Sequence, residues 1–425
     1  MHLVTVAPSI PSPNTGGGGN WNASLIKQFL KMGHQVTHIA VIGKHESIKV
    51  DTGAIESYRK LGAEVVVVPY CRKHALTRSF VHNVRTVLAP NFEDLWPEEA
   101  ATRPQVIQVI EKLAPDCVVP LAFDAVLYTH GLKCAPRFGV QAEGPHINTY
   151  VNWRYNPDVA PGPTLRYLSY TLKTLLVAKL QEKAYADLTA GLSTAAFAGA
   201  HYLKWARKKN LHNAVFVTTP VPDPLGPSWR QRRDAVRRGP KCKILMIGHL
   251  HSTSNKSGLP IFFEETLPEL ERSWGVENFE VHIVGRNDAM PKRFDKWRIH
   301  PALVFRGPVY PADDEFLSSD ILLVTVPAKT GSCVRIINGF TYGCCIVAHS
   351  ANALGIPELV HEQNVLLGKS GKELASEIVR AAQDAELRER LGEAGRKTYD
   401  QFYAEEIGAR QYLSLIEQAV STFRN

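Results

Sequence analysis

The chain has 425 residues, 44% of them hydrophobic and 21% charged, so it is too long for one ordinary core and too apolar to be disordered. No apolar run reaches the roughly 18 residues of a membrane span, and the opening MHLVTVAPSI is too short and too β-like for a secretory signal. Seven cysteines without zinc-type spacing exclude a zinc-finger protein and suit a reducing compartment. We therefore expect a soluble, cytoplasmic protein of two domains.

Charge is distributed unevenly between the two halves of the chain. Residues 1–240 hold 28 Lys and Arg against 17 Asp and Glu, a net +11, whereas residues 241–425 hold 21 against 24, a net −3. A basic first half predicts an anionic partner such as the inner face of a membrane, with a merely soluble basic surface as the alternative. No RNA-binding signature is present, so we do not expect nucleic acid.

Apolar runs alternate with amphipathic segments along the first half, which is the pattern of parallel sheets covered by helices. Helices are predicted at Asn22–Met32, closed by Gly33, and at Tyr170–Asp187, which is apolar on one face and basic on the other. The predicted strands are Leu3–Ala7, Val36–Val41, Glu64–Val68, Cys117–Ala122, Val140–Glu143, Leu188–Leu192 and Ala214–Val217.

A proline-rich stretch from Thr219 and the basic segment RQRRDAVRRG interrupt this alternation, which then restarts. We predict a first domain over 1–220, a linker over 221–240, a second domain over 241–400 and a C-terminal helix over 401–425 that packs back on the first domain. Both domains are expected to be doubly wound, with the site in the cleft between them. The second-half strands are predicted at Lys243–Ile247, Phe279–Val284, Leu303–Phe305, Ile321–Thr325, Cys345–Ala348 and Val365–Leu367.

The segment from Val324 to Val347 carries the most information about function. An apolar strand ends at Pro327, a turn follows at Gly331 and Ser332, and a short helix carries Arg335 in its first turn. Such a junction gathers unpaired N–H groups at the positive end of a helix dipole, which is where a pyrophosphate binds. The sequence therefore predicts a phosphate-bearing ligand here.

Two other strands of the second half also end in polar turns. Gly248 opens a loop that contains Asn255 and Lys256, and Gly285-Arg286 follows the next strand. Because a nucleotide diphosphate needs N–H groups together with cations, convergence of these loops on one crevice points to such a ligand. His249 and His251 offer a metal as a weaker alternative, but no third ligand follows at a suitable spacing, and no metal site is expected.

Four consecutive glycines, Gly16, Gly17, Gly18 and Gly19, lie between the first strand and the first helix. They do not form a dinucleotide-binding motif, because eight residues separate them from the strand and no acidic residue ends the second strand. We interpret them either as a loop that contacts the acceptor or the donor phosphate, or as an ordinary flexible surface loop.

These residues resemble glycosyltransferase family 4, whose enzymes have the GT-B architecture, over essentially the whole chain. The resemblance rests on the Gly248–Gly258 loop, HIVG at 282–285, FRGPV at 305–309, Asp314 to Pro327, the Val324–Val347 segment, GIPELV at 355–360, the N-terminal glycines, Gly33-His34, Glu182 and VTTPVPD at 217–223. It implies transfer of a sugar from a nucleotide diphosphate donor, held by the second domain, to an acceptor held by the first. It further implies retention of anomeric configuration and no bound metal or other cofactor, with the nucleotide sugar as co-substrate.

The chain departs from the family pattern at two positions. Asn338 stands where the family has a glutamate that binds the donor ribose, and Thr330 stands at a second glutamate position. An amide can exchange hydrogen bonds with a ribose, but it lacks the charge that strengthens them. For the first domain, His146 and Asp124 are the candidate catalytic groups, since each follows a strand and a histidine there can shuttle a proton.

Three functions follow from this pattern. The first is a hexosyltransferase-type enzyme acting on a glycan, a lipid-linked acceptor or a small molecule in polysaccharide biosynthesis. The second is an inactive GT-B-like partner protein in a glycan-assembly complex, which the replacements at 330 and 338 suggest. The third is a nucleotide-sugar epimerase, which would need its own acid and base and no acceptor.

Overall fold

A computed structural model describes residues 1–11, 17–43, 52–71, 92–155, 165–236, 239–250, 252–286, 290–327 and 331–425. The chain divides into two compact units. The first unit comprises Met1–Ile147, Leu175–Pro220 and Glu405–Asn425, and the second comprises Asn148–Thr174 and Val221–Ala404. The residues predicted as a linker, 221–240, thus belong wholly to the second unit, and the predicted C-terminal helix, 401–425, is divided between the units at 404/405.

The first unit is built on parallel strands. Their order is β3-β2-β1-β4, and bridges from Val118 to Arg137 and from Leu121 to Val140 continue it into β5-β6-β7. The order reverses between β1 and β4, which opens a crevice at their carboxyl ends. The strands are β1 His2–Ala7, β2 Gln35–Ile42, β3 Glu64–Pro69, β4 Cys117–Pro120, β5 Phe138–Gln141, β6 Thr194–Phe197 and β7 Ala214–Phe216.

Helices cover both faces of this sheet because its strands are buried on both sides: Leu3 and Ala7 pack into one core cluster, Val4 and Val6 into another. The helices of the unit are α1 Gly17–Lys31, α2 Thr52–Lys60, α3 Phe92–Leu95, α4 Pro97–Leu113, α5 Phe123–Tyr128, α8 His201–Lys208 and α16 Glu405–Arg424. Two further helices carry the chain between the units, α6 Pro145–Arg154 and α7 Leu165–Ala190.

Two predictions for the first unit are wrong. The strand predicted at Leu188–Leu192 is instead the end of α7, because Tyr185 and Leu188 are buried at helical spacing, and the true strand is β6. Gly17, Gly18 and Gly19 form the first turn of α1 rather than a loop, and Gly16 lies outside the described residues.

The second unit has one six-stranded parallel sheet of order β10-β9-β8-β11-β12-β13. Successive residues alternate between two core clusters, as Ile321 and Leu322 of β11 do, so helices again cover both faces. The order reverses between β8 and β11, which places a crevice of this second sheet at the carboxyl ends of those two strands. The strands are β8 Cys242–Ile247, β9 Phe279–Val284, β10 Leu303–Gly307, β11 Ile321–Val324, β12 Cys345–His349 and β13 Leu366–Gly368.

The helices of the second unit are α9 Trp229–Asp234, α10 Thr253–Pro260, α11 Leu267–Trp274, α12 Asp313–Ser318, α13 Val334–Thr341, α14 Gly371–Gln383 and α15 Ala385–Phe402. A π-helical turn, Ile261–Thr266, joins α10 to α11, and 3₁₀ turns cover Gly226–Ser228, Lys292–Ile299 and Ser350–Leu354. Among the described residues, no helix is both long and apolar enough to cross a bilayer.

The segment predicted as a linker is folded against the second unit. Trp229 lies so close to Gly343 that a Cβ there would come within 2.2 Å of its ring. Arg230 is bonded to Glu389 and Glu393 of α15. The basic composition of this segment is typical of a spacer, but the carboxylate partners of Arg230 lie more than 150 residues away in sequence, which composition cannot reveal.

Candidate functional site

The strand order of the second unit brings together the loops that the sequence singled out. β8 and β11 are neighbours in the sheet, so the loop after β8 and the turn after β11 lie side by side at the reversal point. Gly248, Asn255 and Lys256 belong to the first, and Gly331 and Ser332 to the second. The topology thus places both loops at one edge of the sheet.

A hydrogen bond between side chains joins these two loops. Arg335, in the first turn of α13, donates through Nη1 to Oδ1 of Asn255, and the Asn255 amide donates to the His249 carbonyl at 2.8 Å. Asn255 is 7% exposed, so its amide holds the guanidinium in place from a nearly dry position. Asn255 thus holds a guanidinium that is always charged in one orientation, which prepares the site to bind an anion.

Gly248 leaves the space that this pair occupies. Its φ is +129°, and a Cβ there would stand 2.8 Å from the Asn255 amide nitrogen and 3.2 Å from Nη2 of Arg335. Any other residue would be strained and would displace the guanidinium. The backbone at this position therefore lies directly against the cation.

The loop after β9 packs on the same point. Gly285 has φ +131°, and a Cβ on it would lie 2.5 Å from the Gly248 carbonyl oxygen. The Arg286 N–H donates to Nδ1 of His249 at 3.1 Å, and the Leu250 N–H donates to the Arg286 carbonyl at 3.0 Å. Three strand-end loops are thus bonded into one structure.

An unpaired buried hydroxyl marks the start of α13. Gly331 has φ +67°, its carbonyl lies against Gly355, and Cys333 begins the helix without a side-chain cap. The Ser332 hydroxyl is buried and has no hydrogen-bond partner among the described residues. The Ile336 N–H donates to the Cys333 carbonyl at 2.9 Å, so the other first-turn N–H groups and this hydroxyl are the donors that a phosphate oxygen would accept from.

Two further predicted residues flank this edge. Lys256, on α10, is partly exposed, and its ammonium has no partner among the described residues. Asn338 lies one turn after Arg335 on α13, and its side-chain amide makes no hydrogen bond to another described residue. Thr330 and His251, the other positions of interest, lie outside the described residues.

A recess between β8 and β11 lies beneath Arg335 and Asn255, and its floor includes Leu323, Thr325 and Val326. It has room for about one water molecule, far less than a nucleotide needs. Its size excludes the recess itself as the place where a nucleotide binds. The groups that remain available lie at the rim.

Two residues that hold this edge in shape were missed from the sequence. Thr325 lies 2.6 Å from where a Cβ of Gly258 would stand, so α10 meets the end of β11 closely. Asn352 is nearly buried and donates to the carbonyls of Val326 and His349, at 3.1 and 2.8 Å. A polar residue inside the apolar run LLVTVP was the available signal for Thr325, whereas Asn352 had none.

In the first unit, His146 is buried at the start of α6. Its ring stacks on Trp205 with centroids 5.9 Å apart and lies 5.7 Å from the Tyr185 ring. Burial lowers the pKa of His146 to about 4, against a smaller opposing influence of Glu182, so the imidazole is neutral at pH 7. Nδ1 is buried and has no hydrogen-bond partner among the described residues.

Asp124 follows β4, in the first turn of α5, and is partly exposed. Two residues earlier, Ala122 has φ +114° and ψ 164°, a backbone conformation that is strained for any residue but glycine. The surrounding structure imposes this conformation immediately before α5, at the reversal point of the sheet. Gly17 to Gly19 begin α1 after β1, so their helix starts at the same edge.

No cluster of three or more His, Cys, Asp or Glu side chains that could hold a metal is present within the described ranges. No family model and no curated protein sequence matches the chain.

Several solved structures share the fold of the whole chain. A glycosyltransferase from Rickettsia africae matches with a TM-score of 0.62 at 13% identity, covering 99% of this chain and 98% of that one. HepE of Anabaena, solved with UDP-glucose, matches with a TM-score of 0.61 at 12% identity over 100% and 99% of the two chains. Sucrose-phosphate synthase from Thermosynechococcus elongatus matches with a TM-score of 0.67 at 11% identity over 99% and 100%. At these identities the likeness shows the fold alone, and it confirms the α/β GT-B class with two Rossmann-like domains.

Proposed function

We propose that the protein transfers a sugar from a nucleotide diphosphate donor, bound by the second unit, to an acceptor bound by the first. The observation that carries this proposal is the union of three strand-end loops around Arg335, which Asn255 holds beside Gly248 at the start of α13. The GT-B fold agrees with it, and solved neighbours of that fold include complexes with UDP and UDP-glucose.

Sugar transfer from a nucleotide diphosphate requires positive charge beside the β-phosphate. When the sugar leaves, negative charge builds on the β-phosphate, and donors that are already oriented there lower the barrier most. Arg335, Lys256, the Ser332 hydroxyl and the first N–H groups of α13 supply such donors. We infer that the reaction proceeds with retention and without a bound metal, as the family resemblance implies, with His146 or Asp124 serving the acceptor.

Substitution of Arg335 tests the proposal. Charge-assisted hydrogen bonds contribute about 1.5–3 kcal/mol, so Arg335→Ala should raise the donor KM and lower kcat by well over tenfold. Arg335→Lys, which keeps the charge but not the planar fork, should recover part of that loss. The measurements are calorimetric titration with UDP-, GDP-, ADP- and dTDP-sugars, followed by transfer kinetics with the best donor. Unchanged kinetics in Arg335→Ala would remove this residue from the mechanism.

A second candidate function is a binding protein that does not turn over, such as a partner subunit in glycan assembly. Asn338 favours this second candidate, because an uncharged amide stands where the family that the chain resembles has a ribose-binding carboxylate. Donor binding without transfer to any acceptor would support this candidate. Product formation from the donor alone, with no acceptor present, would point instead to an epimerase.

A further inference from the structure

Helix α7 carries an exposed row of leucines that no described part of the protein covers. Their side chains are 86, 54, 60, 41 and 41% exposed, in chain order. Spacings of three and four residues place them on one face over about 17 Å of helix. We call this the leucine stripe: Leu165, Leu168, Leu172, Leu175 and Leu176. A contiguous apolar patch of this kind on a folded protein marks an interaction surface.

The same face of α7 becomes cationic beyond the stripe. Lys179 and Lys183 follow at one and two turns, and Lys173 borders the leucines. All three are exposed, and none has a hydrogen bond or an ion pair with another described residue. The nearby carboxylate of Glu182 is engaged by Lys209 at 3.0 Å and by the Trp205 indole at 2.9 Å.

An aromatic pair stands at the edge of the stripe. The Trp153 indole N–H, from α6, donates to Thr171 Oγ1 at 3.2 Å, and Thr171 lies on α7 between Leu168 and Leu175. Tyr150 is 46% exposed, with its ring centroid 5.5 Å from that of Trp153. Amphipathic rings of these two types are enriched where protein meets the headgroup layer of a bilayer.

Charge favours a bilayer over a second copy of the chain as the occupant of this face. If two α7 helices paired in parallel, Lys173, Lys179 and Lys183 would face the same lysines of the second copy. If they paired antiparallel over the whole face, leucines of one copy would face lysines of the other. An anionic lipid surface meets both requirements at once, because acyl chains accept the leucines and lipid phosphates accept the ammonium groups.

We propose that α7 lies in the plane of an anionic membrane surface, with the leucine stripe in the boundary between headgroups and acyl chains and the lysines against the phosphates. This goes beyond sugar transfer and does not depend on it. The sequence predicts a membrane contact from the basic first half of the chain, with Tyr170–Lys183 as one face. The exposed leucines add an apolar contribution to binding that salt does not screen.

Flotation of the full chain with lipid vesicles tests the proposal. The protein should bind phosphatidylcholine vesicles containing about 30 mol% phosphatidylglycerol at 0.1 M NaCl, and bind pure phosphatidylcholine vesicles at least tenfold more weakly. At 1 M NaCl, where the screening length falls to about 3 Å, binding should drop several-fold but persist. Absence of binding to the anionic vesicles would overturn the proposal.

Two pairs of matched variants identify the surface. L168S/L172S should weaken binding at least tenfold at both salt concentrations, whereas L61S/L354S, at two leucines of 45% exposure elsewhere, should not. K179E/K183E should weaken binding at 0.1 M NaCl, whereas K60E/K112E, an equal charge change at exposed sites, should weaken it less. Retained binding by both α7 variants would overturn the assignment. So would a dimer in sedimentation velocity that L168S/L172S abolishes, because the stripe would then bind a second copy.

Discussion

The two units use the same kind of sheet edge in different ways. At the reversal point of the second sheet, Arg335 is bonded to Asn255 beside Gly248, which joins the loop after β8 to the start of α13 and holds the guanidinium in one orientation. At the edge of the first sheet, His146 is packed among aromatic rings and held neutral, while Asp124 follows the strained Ala122. The second edge is preorganised around a guanidinium of constant charge, whereas the first holds a neutral imidazole among aromatic rings and places Asp124 after a strained residue.

A close backbone contact of the second edge, between Gly285 and Gly248, gives the largest expected effect. Gly285→Ala should lower the free energy of unfolding by more than about 3 kcal/mol, because strain at φ +131° adds to overlap with the Gly248 carbonyl. Urea denaturation measures this. Gly307→Ala is the matched control, since φ is +70° but nothing lies within 4 Å of the new Cβ, and it should cost only about 1–2 kcal/mol. Equal losses would show that the loops do not meet as closely as described.

Much of this edge could be predicted from sequence, for a physical reason. Runs buried on both faces read as continuous apolar segments, so the strand predicted at Ile321–Thr325 ends within one residue of β11, and the polar turns that follow such runs mark strand ends. Pairings across the fold could not be predicted, because Asn255 and Arg335 lie 80 residues apart and nothing in either segment specifies the other.

The errors in the first unit have a related cause. Leu188–Leu192 is apolar in either a helix or a strand, and only burial against Tyr185 decides for the helix. Gly17 to Gly19 disfavour a helix by intrinsic preference, yet they begin α1, so packing of the following turns overrides propensity there. The strain at Ala122 left no signal at all, since alanine is compatible with every regular element.

The next largest expected effect concerns how stability depends on pH, and it tests whether His146, at the edge of the first sheet, is held neutral. Its folded pKa of about 4 lies below the ordinary value of 6.5, so the unfolded chain binds more protons between these values and stability falls as pH drops from 6.5 towards 4. His146→Phe, which keeps the ring against Trp205, should reduce that loss by about 3 kcal/mol. Denaturation midpoints from pH 7 to pH 4 measure the difference.

His38 is the control for this experiment. Burial lowers its pKa to about 4 as well, but its Nδ1 is bonded to Thr5 Oγ1 at 2.8 Å. His38→Phe should therefore lower the free energy of unfolding by about 1–3 kcal/mol already at pH 7, because it leaves the buried Thr5 hydroxyl unpaired. His146→Phe should cause no such loss at pH 7. Transfer activity of His146→Phe at pH 7 then separates a proton shuttle from a packing residue. An identical pH dependence in wild type and His146→Phe would contradict the burial described here.

A smaller effect should come from the residue that positions the cation. Asn255→Ala removes the acceptor of Arg335 without touching the charge, so donor affinity should fall by about tenfold, which corresponds to about 1.4 kcal/mol. Ser257→Ala is the control, because Ser257 lies on the same helix and, within the part of the chain that the structure describes, its hydroxyl bonds only the Ser254 carbonyl, at 2.6 Å. Calorimetric titration with the best donor reports both. If the two variants bind alike, Arg335 does not need Asn255 to hold its place.

The smallest expected effect is a gain, and it tests whether the second edge is complete. Asn338→Glu places a carboxylate one turn after Arg335, at the position where the resembling family has its ribose-binding glutamate. A charged acceptor for two ribose hydroxyls should tighten donor binding by about fivefold, a change of about 1 kcal/mol. Asn338→Gln introduces a side chain as long as that of glutamate but without its charge, and it should leave donor affinity within about twofold of wild type. If Asn338→Glu weakens binding instead, then Asn338 makes a donor contact that a carboxylate cannot make, through its amide N–H. The site would then select a ligand whose acceptor atom faces α13, rather than a ribose diol that donates to it.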